Sequence, residues 1–220
     1  MLYIVPTPIG NLEDITYRAV RILKEVDVII AEDTRHSGIL LKHYDISKPM
    51  RSFHAHSGEH DIQTILQLLR DGKNAALISD AGMPGISDPG YALIQRVITE
   101  NFSFTVLPGP VAAPTAVVAS GFASHHYLYV GFLPLKKGRQ TLLKELAVLP
   151  FTIVLYESPH RMLKTLGDIQ TFFGEARRVS VCREMTKQFE EILRSTAKGA
   201  YEHFSAKAPR GEFTLVIEGA

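Results

Sequence analysis

Residues 75–99 read AALISDAGMPGISDPGYALIQRVIT and carry the pattern on which the predicted fold rests. A short apolar run, Ala75–Ile78, precedes a loop rich in Gly, Pro and Asp, and a segment with helical periodicity, Tyr91–Thr99, follows the loop. This order predicts a strand, a turn and a helix. The same alternation recurs along the first half, with predicted strands at Leu2–Val5, Val26–Ala31 and Phe104–Leu107 and predicted helices at Tyr17–Lys24, Gly38–His43 and Ile62–Arg70. It predicts a mainly parallel sheet covered by helices.

A change in composition near residues 114–124 indicates a second unit, so we predict one lobe over residues 1–116 and another over residues 117–220. The second half alternates in the same way, with predicted strands at Tyr127–Phe132, Thr152–Tyr156, Val179–Cys182 and Phe213–Glu218 and predicted helices at Gln140–Val148, Arg161–Phe173 and Ala197–Phe204. The predicted fold is a two-lobed α/β protein in which each lobe is a parallel or mixed sheet flanked by helices.

The composition of the 220 residues is that of a folded globular protein. Hydrophobic residues make up 45% and charged residues 21%, and the formal net charge of +1 excludes the disordered class and neither supports nor excludes RNA binding. A single cysteine, Cys182, predicts a reducing compartment, and we expect the cytoplasm. The N-terminus lacks a basic region, and no apolar stretch approaches the roughly 20 residues that span a bilayer, so neither a secretory signal nor a membrane segment is expected.

The loops after four predicted strands are rich in turn residues and charge. They are residues 6–12 (PTPIGNL), 32–35 (EDTR), 79–90 (SDAGMPGISDPG) and 108–110 (PGP). In open α/β sheets, ligands bind outside the carboxyl ends of the strands, so these loops are expected to form one site. No phosphate-binding G-x-x-x-x-G-K-[ST] or G-x-G-x-x-G motif is present, and Pro6 and Pro8 remove amide donors. The carbonyls and carboxylates of these loops suit a ligand with hydroxyls and a positive centre.

Three histidines, His54, His56 and His60, raise the possibility of a metal site. They lie in a segment that contains Ser and Gly and has no cysteine nearby, so we predict no metal. A metal-dependent hydrolase that uses these histidines remains an alternative, as does a ligand-binding protein without catalytic activity.

The basic residues Lys136, Lys137 and Arg139 form a small cluster after a predicted strand. A solvated surface is the ordinary interpretation, and contact with a nucleic-acid phosphate is the functional one.

Seven motifs occur in order along the chain: PTPIGNL (6–12), AEDTR (31–35), SDAG (79–82), PGP (108–110), YESPHR (156–161), REMTK (183–187) and GEF (211–213). Together they resemble the tetrapyrrole-methylase family, and within it the bacterial enzymes that methylate a cytidine 2′-hydroxyl of 16S rRNA. The resemblance spans essentially the whole chain.

The resemblance implies a homodimer of two-lobed chains that binds S-adenosylmethionine between the lobes, releases S-adenosyl-L-homocysteine and acts on 16S rRNA in the small ribosomal subunit. The implied cofactor contacts are Pro8, Asp80, Met83, Gly85, Ile86, Pro108, Gly109, Val111, Ala112, Ala113, Tyr156, Glu157, Gly211 and Glu212. Met83 stands where relatives usually have Thr. Other members of the fold methylate tetrapyrroles or protein side chains, and such a substrate is the alternative within the enzyme class.

For catalysis, Glu32 is our candidate general base, and Arg35 is expected to hold a phosphate or to orient the Glu32 carboxylate. Lys187 and Arg183 are candidates for contacts to the RNA backbone, together with the basic cluster at residues 136–139.

Overall fold

The computed structural model describes residues 1–220, which divide into two compact units. Unit 1 comprises Met1–Val111 and unit 2 comprises Ala112–Ala220.

Unit 1 is a five-stranded parallel sheet with helices on both faces. In chain order its elements are β1 (Leu2–Ile4), a 3₁₀ turn (Leu12–Asp14), α1 (Tyr17–Glu25), β2 (Val28–Ala31), α2 (Thr34–His43), β3 (Met50–Ser52), α3 (Glu59–Arg70), β4 (Ala75–Ile78), α4 (Gly90–Thr99) and β5 (Phe104–Val106). The strand order is β3-β2-β4-β1-β5, with every pairing parallel. Because all neighbours are parallel, the carboxyl ends of these strands share one edge of the sheet.

Two apolar layers hold the unit 1 helices to the sheet. One contains buried residues of α1 and α2, such as Leu23 and Leu40, and the other contains buried residues of α3 and α4, such as Leu66 and Leu93. All residues of β2 and β4 are buried, as expected for strands covered on both faces. Polar side chains start the first two helices, since Thr16 Oγ1 accepts from Ala19 N and Asp33 Oδ1 accepts from Arg35 N.

Unit 2 is built on a mixed sheet. Its elements are α5 (Ala112–Ser120), β6 (Tyr127–Phe132), α6 (Arg139–Ala147), β7 (Thr152–Glu157), α7 (Met162–Phe173), β8 (Arg178–Arg183), β9 (Glu191–Thr196), α8 (Ala197–Ser205) and β10 (Phe213–Ile217). The strand order is β6-β7-β10-β8-β9, in which β6 and β7 are parallel and all other pairs are antiparallel. Helices α6, α7 and α8 share one apolar layer with the sheet, and α5 lies in a second, smaller layer.

The units divide at Val111, whereas the sequence predicted a boundary after residue 116. The reason is helix α5, which the sequence analysis did not identify. Its residues Ala113, Ala116 and Val117 pack with Val154 and Val216 of unit 2, so the whole helix belongs to that unit.

All predicted helices and strands are present, with differences at their ends. Two strands were missed, β3 and β9, which lie at the edges of their sheets. All three β3 residues, Met50–Ser52, are exposed, so the apolar alternation of a half-buried strand is absent there. No helix has the length and apolar character needed to cross a membrane.

Candidate functional site

The loops that follow β1, β2 and β4 are joined at the carboxyl edge of the unit 1 sheet. Thr7 and Gly82 exchange backbone hydrogen bonds, with N–O distances of 2.9 and 3.1 Å, and thereby connect the loops after β1 and β4. The backbone N–H of Asp33 donates to Asp80 Oδ1 at 3.1 Å, which connects the loop after β2 to that after β4. Unit 1 therefore brings together the motifs that the sequence analysis expected at one edge.

Glycine allows the close approach of these loops at two positions. Gly82 has a φ of +86°, and a Cβ there would lie 3.3 Å from Ile9 Cγ2 and 3.6 Å from the Pro110 carbonyl oxygen. A Cβ on Gly109 would lie only 2.7 Å from the Pro6 Cβ. The loop after β5 therefore also packs against the others.

The predicted cofactor residues of unit 1 all lie on these loops. Pro8 follows β1; Asp80, Met83, Gly85 and Ile86 follow β4; Pro108, Gly109 and Val111 follow β5. Pro8 is buried and Met83 packs against the core, whereas Ile86, Pro108 and Gly109 are exposed.

Asp88 organises the second half of the loop after β4, a role that the sequence analysis missed. Its Oδ1 accepts from the backbone N–H groups of Gly85 and Gly90 at 2.8 and 2.7 Å. Its Oδ2 is buried and has no hydrogen-bond partner. Burial raises the pKa of Asp88 above its ordinary value, against the effect of the two amide donors. The sequence held a signal for this role, because Asp88 stands directly before Pro89 and an Asp–Pro pair favours the start of a turn.

Glu32 is partly buried at the end of β2 and makes no hydrogen bond or ion pair. Burial raises its pKa above the ordinary value, and the negative charges of Asp80 and Asp88 raise it further, whereas His54 opposes them. A carboxyl group with a raised pKa is a stronger proton acceptor when ionised. These properties fit the role predicted for Glu32.

Glu32 lines a cavity of about 600 Å³ within unit 1, here called the Glu32 cavity. The side chains that define it are Glu32, Phe53, His54, Ser57, Asp88 and Tyr91. It contains two carboxylates and an imidazole but no lysine or arginine.

Arg35 does not orient Glu32 in this structure. Its side chain is 90% exposed, and its guanidinium pairs with Asp33 through Nη2–Oδ2 at 2.9 Å and Nε–Oδ1 at 3.2 Å. These contacts lower the pKa of Asp33 to about 2. Of the two roles predicted for Arg35, only the contact with a phosphate is compatible with this position.

The three histidines of the sequence analysis have different surroundings. His54 lines the Glu32 cavity, and its Nδ1 accepts from the backbone N–H of His56 at 3.2 Å. His60 lies in α3 and lines a separate surface depression with Arg51. No group of three His, Cys, Asp or Glu side chains is placed to hold a metal ion.

In unit 2, the hydroxyl of Tyr156 accepts from the backbone N–H of Ala113 at 3.2 Å. This bond joins the end of β7 to the start of α5 and brings together two predicted cofactor residues, with Ala112 adjacent in sequence. The Tyr156 ring makes edge contacts with Tyr129 and Phe132 at centroid distances of 5.3 and 5.8 Å. Burial strongly raises the pKa of the Tyr156 hydroxyl, which therefore stays protonated.

The Glu157 side chain does not fit the predicted contact with a cofactor, because it is fully buried, which leaves the backbone of this residue for that contact. Its Oε1 accepts from Ser158 N at 2.8 Å and pairs with Arg161 Nη2 at 2.7 Å, and its Oε2 accepts from Thr165 Oγ1 at 2.6 Å. The carboxylate is therefore part of the unit 2 interior.

Arg139 likewise does not fit its predicted contact with RNA, because it is only 4% exposed. Its guanidinium pairs with Asp168 at 2.8 Å and donates to Thr165 Oγ1 at 2.8 Å and to the Pro134 carbonyl at 3.2 Å. Glu157, Arg161, Thr165, Arg139 and Asp168 form one connected set, here called the Glu157 network. By contrast, Lys136 and Lys137 are exposed, and their side chains have no partner.

The last two predicted motifs meet in unit 2. Glu212 N donates to Glu184 Oε1 at 2.8 Å, and Glu184 N donates to the Glu212 carbonyl at 2.9 Å. Lys187 Nζ pairs with Glu184 at 3.0 Å and Glu212 at 2.9 Å. Gly211 has a φ of +91°, which favours glycine, and a Cβ there would lie 2.6 Å from the Glu184 side chain. Arg183 is also engaged, since it pairs with Glu191 at 3.2 Å.

A family model and the sequences of related proteins both match this chain to methyltransferases. The model of the family described as "Tetrapyrrole (Corrin/Porphyrin) Methylases" matches residues 1–200. A Synechocystis protein named "Ribosomal RNA small subunit methyltransferase I" is 48% identical over all of this chain and 79% of its own length. A Thermotoga maritima protein of the same name is also 48% identical, over 99% of this chain and 98% of its own length.

Solved structures support the fold. The methyltransferase CobJ matches with a TM-score of 0.76 at 16% identity, over 100% of this chain and 94% of its own. A cobalt precorrin-4 methyltransferase of cobalamin biosynthesis matches with a TM-score of 0.73 at 19% identity, over 99% of this chain and 94% of its own. At these identities the likeness concerns the fold alone.

Proposed function

This chain belongs to the tetrapyrrole methylase family, and from that premise we propose that it methylates small-subunit ribosomal RNA with S-adenosylmethionine, at the 2′-hydroxyl of a cytidine. The observation that carries the proposal is the similarity to named small-subunit rRNA methyltransferases along the whole chain. The cytidine and its 2′-hydroxyl are the finer part of the proposal and derive from the motif resemblance. A homodimer in the cytoplasm belongs to the same expectation.

The residues of unit 1 fit S-adenosylmethionine by their chemistry. The loops after β1, β4 and β5 approach closely through Gly82 and Gly109, and they offer carbonyl groups and the Asp80 carboxylate. Such acceptors suit ribose hydroxyls and an ammonium group, and no phosphate-binding motif is needed. We propose that Asp80, Met83 and Gly85 of unit 1 contact the cofactor. For unit 2, the motif resemblance implies Ala113, Tyr156 and Gly211 as contacts. When bound, the cofactor supplies an electrophilic methyl group on a positively charged sulfur.

Glu32 is the proposed general base. A ribose hydroxyl is a very weak acid, so proton removal by a positioned carboxylate is worth about 10²–10⁴-fold in rate. Burial and the neighbouring Asp80 and Asp88 raise the pKa of Glu32, which makes its ionised form a better proton acceptor. With no hydrogen bond of its own, the Glu32 carboxylate is available for the substrate hydroxyl.

Lys136 and Lys137 are the proposed contacts to RNA phosphates, because both are exposed and unpaired. Arg183, Lys187 and Arg35 are proposed as weaker contacts, since each already has an acidic partner within its own unit.

The decisive experiment is transfer of a labelled methyl group from S-adenosylmethionine to purified small ribosomal subunits that lack the modification, followed by nuclease mapping. Label in a 2′-O-methylcytidine is the expected result. Label in another nucleotide would overturn the cytidine assignment and keep the rRNA substrate. Label on uroporphyrinogen and none on the subunits would move the chain to the tetrapyrrole-modifying members of its family.

A further inference from the structure

We propose that the Glu32 cavity receives the unpaired cytosine base of the acceptor nucleotide, and that His54 and the carboxylate wall distinguish it from uracil. The inference rests on the proposed function and assigns the base-binding part of that site.

The cavity has the volume of a ligand site, and hydrogen bonds within the protein fix two of its walls. Its volume of about 600 Å³ lies within the range of roughly 300–1,000 Å³ that small-molecule sites occupy. One wall is the turn at residues 54–57, which holds its own shape because Ser57 N donates to the His54 carbonyl at 2.8 Å and His54 N donates to Ser57 Oγ at 3.0 Å. Another wall is the loop that Asp88 fixes through Gly85 and Gly90. The site is therefore formed before a ligand arrives.

The charges of the cavity exclude a phosphate and favour a hydrogen-bond donor. Glu32 and Asp88 both line it, and no lysine or arginine does. A phosphate would meet two carboxylates without a counter-charge, whereas an exocyclic amino group carries donor hydrogens that suit such a wall. Phosphates of the bound RNA therefore stay outside, and the base and ribose enter.

His54 adds a donor to the cavity. Its Nδ1 accepts from the His56 backbone N–H at 3.2 Å, so the neutral ring carries its proton on Nε2. Cytosine presents acceptors at O2 and N3 and a donor at N4, which complement one imidazole N–H and a carboxylate wall. Uracil has a carbonyl at position 4, which would face the carboxylates unfavourably. Its N3–H is a donor and would leave the His54 N–H without the acceptor that cytosine N3 provides.

Aromatic surface for stacking is also present. Tyr91 is 61% exposed on α4 and lines the cavity, as does the exposed ring of His54. RNA-binding proteins recognise unpaired bases by stacking them on such rings and bonding their edges. A nucleotide turned out of its stack also brings its ribose toward the protein, where Glu32 must reach the 2′-hydroxyl.

The test fills the cavity without touching a proposed catalytic or cofactor residue. Ala92 is exposed on α4 and lines the cavity, so A92W should occupy it; Gln95 is exposed on the same helix outside the cavity, so Q95W is the matched control. Three quantities are measured: the Kd for S-adenosylmethionine by calorimetry, the Kd for unmodified small subunits without cofactor, and kcat and KM for methyl transfer.

We expect A92W to weaken subunit binding and to raise KM by about tenfold or more, while S-adenosylmethionine binds as to the wild type. Q95W should stay within about twofold of the wild type in all three quantities. Equal behaviour of A92W and Q95W would overturn the inference, as would loss of cofactor binding in A92W, which would assign the cavity to the cofactor. Absence of methyl transfer by the wild type would instead overturn the proposed function.

A second variant tests base recognition. Subunits reconstituted with uridine in place of the acceptor cytidine should be methylated about tenfold or more poorly by the wild type. H54A should reduce that preference to within about threefold and still bind S-adenosylmethionine. A preference unchanged in H54A would show that His54 does not recognise the base.

Discussion

The two units differ in how they hold a carboxylate that is removed from solvent wholly or in part. In unit 2 the Glu157 carboxylate receives hydrogen bonds from Ser158, Arg161 and Thr165 and is fully buried. In unit 1 the Glu32 carboxylate has no partner, and the negative charges of Asp80 and Asp88 help to raise its pKa. A buried charge with all its bonds made contributes to the integrity of the fold, whereas an unpaired one costs folding free energy and is available for chemistry.

The largest expected effect is on kcat, which should fall when the unit 1 carboxylate Glu32 is neutralised and change far less when the unit 2 carboxylate Glu157 is. Glu32→Gln keeps the shape of the side chain and removes the proton acceptor, so kcat should fall by about 10²–10⁴-fold with little change in the Kd for S-adenosylmethionine. Single-turnover methyl transfer and calorimetry measure the two quantities. Glu157→Gln, compared at a temperature where it is folded, should keep a kcat within about tenfold of the wild type. Unchanged turnover in E32Q would eliminate Glu32 as the base.

The second effect is on the free energy of unfolding, which should depend on the unit 2 carboxylate Glu157. Glu157→Gln leaves Arg161 and Thr165 without their charged acceptor in the interior, so the free energy of unfolding should fall by about 3 kcal/mol. Denaturant titration followed by circular dichroism provides the measurement. Arg21→Ala breaks an exposed pair with Glu25 within α1 and should cost at most about 0.5 kcal/mol. A loss in E157Q no greater than that in R21A would contradict the stabilising role of the Glu157 network.

A further comparison concerns lysines with and without partners. Lys136→Ala with Lys137→Ala removes two unpaired charges, so the slope of log K for subunit binding against log salt should decrease by roughly 1.5. Lys187→Ala removes a charge that Glu184 and Glu212 already neutralise, and its slope should change by less than half as much. Binding titrations at several salt concentrations give both slopes. A change of slope in K187A as large as that in the double variant would show that Lys187 contacts RNA phosphates despite its acidic partners.

The smallest expected effect is the pH dependence of stability caused by Glu32. Because its folded-state pKa is raised, ionised Glu32 destabilises the fold at pH values above that pKa, and this cost disappears as the pH falls toward its ordinary value of 4.5. E32Q should therefore be more stable than the wild type near neutral pH and equal to it in acid. Unfolding curves across this pH range measure the difference. A wild type that is more stable than E32Q at neutral pH would show that Glu32 has a stabilising partner.

Much of this arrangement follows from local sequence patterns. The apolar runs and helical periods predict the strands and helices of both units, because covered parallel strands such as Ala75–Ile78 are apolar throughout. The meeting of the loops after β1, β2 and β4 also follows, since parallel strands end at one edge. The family and its cofactor came from the order of seven motifs and not from any single loop.

Side-chain partners could not be predicted in this way. Arg139 occurs in a run of basic residues and Glu157 in a motif associated with the cofactor, yet both are buried by long-range pairing across α6, β7 and α7. Glu32 and Asp88 are far apart in sequence, and their shared cavity depends on the tertiary fold. Helix α5 was missed because Pro114 lies inside it and its composition gives no amphipathic pattern.

The position of β10 in the unit 2 sheet constrains the order in which the two units can fold while the chain is being synthesised. β10 is the last strand in the sequence, yet it lies in the centre of the sheet and pairs with both β7 and β8. These two strands cannot acquire their common neighbour until residues 213–217 have been synthesised. Unit 1 needs no residue beyond β5, an edge strand, to complete its sheet. A nascent chain can therefore carry a finished unit 1 while the apolar centre of unit 2 still requires protection from aggregation.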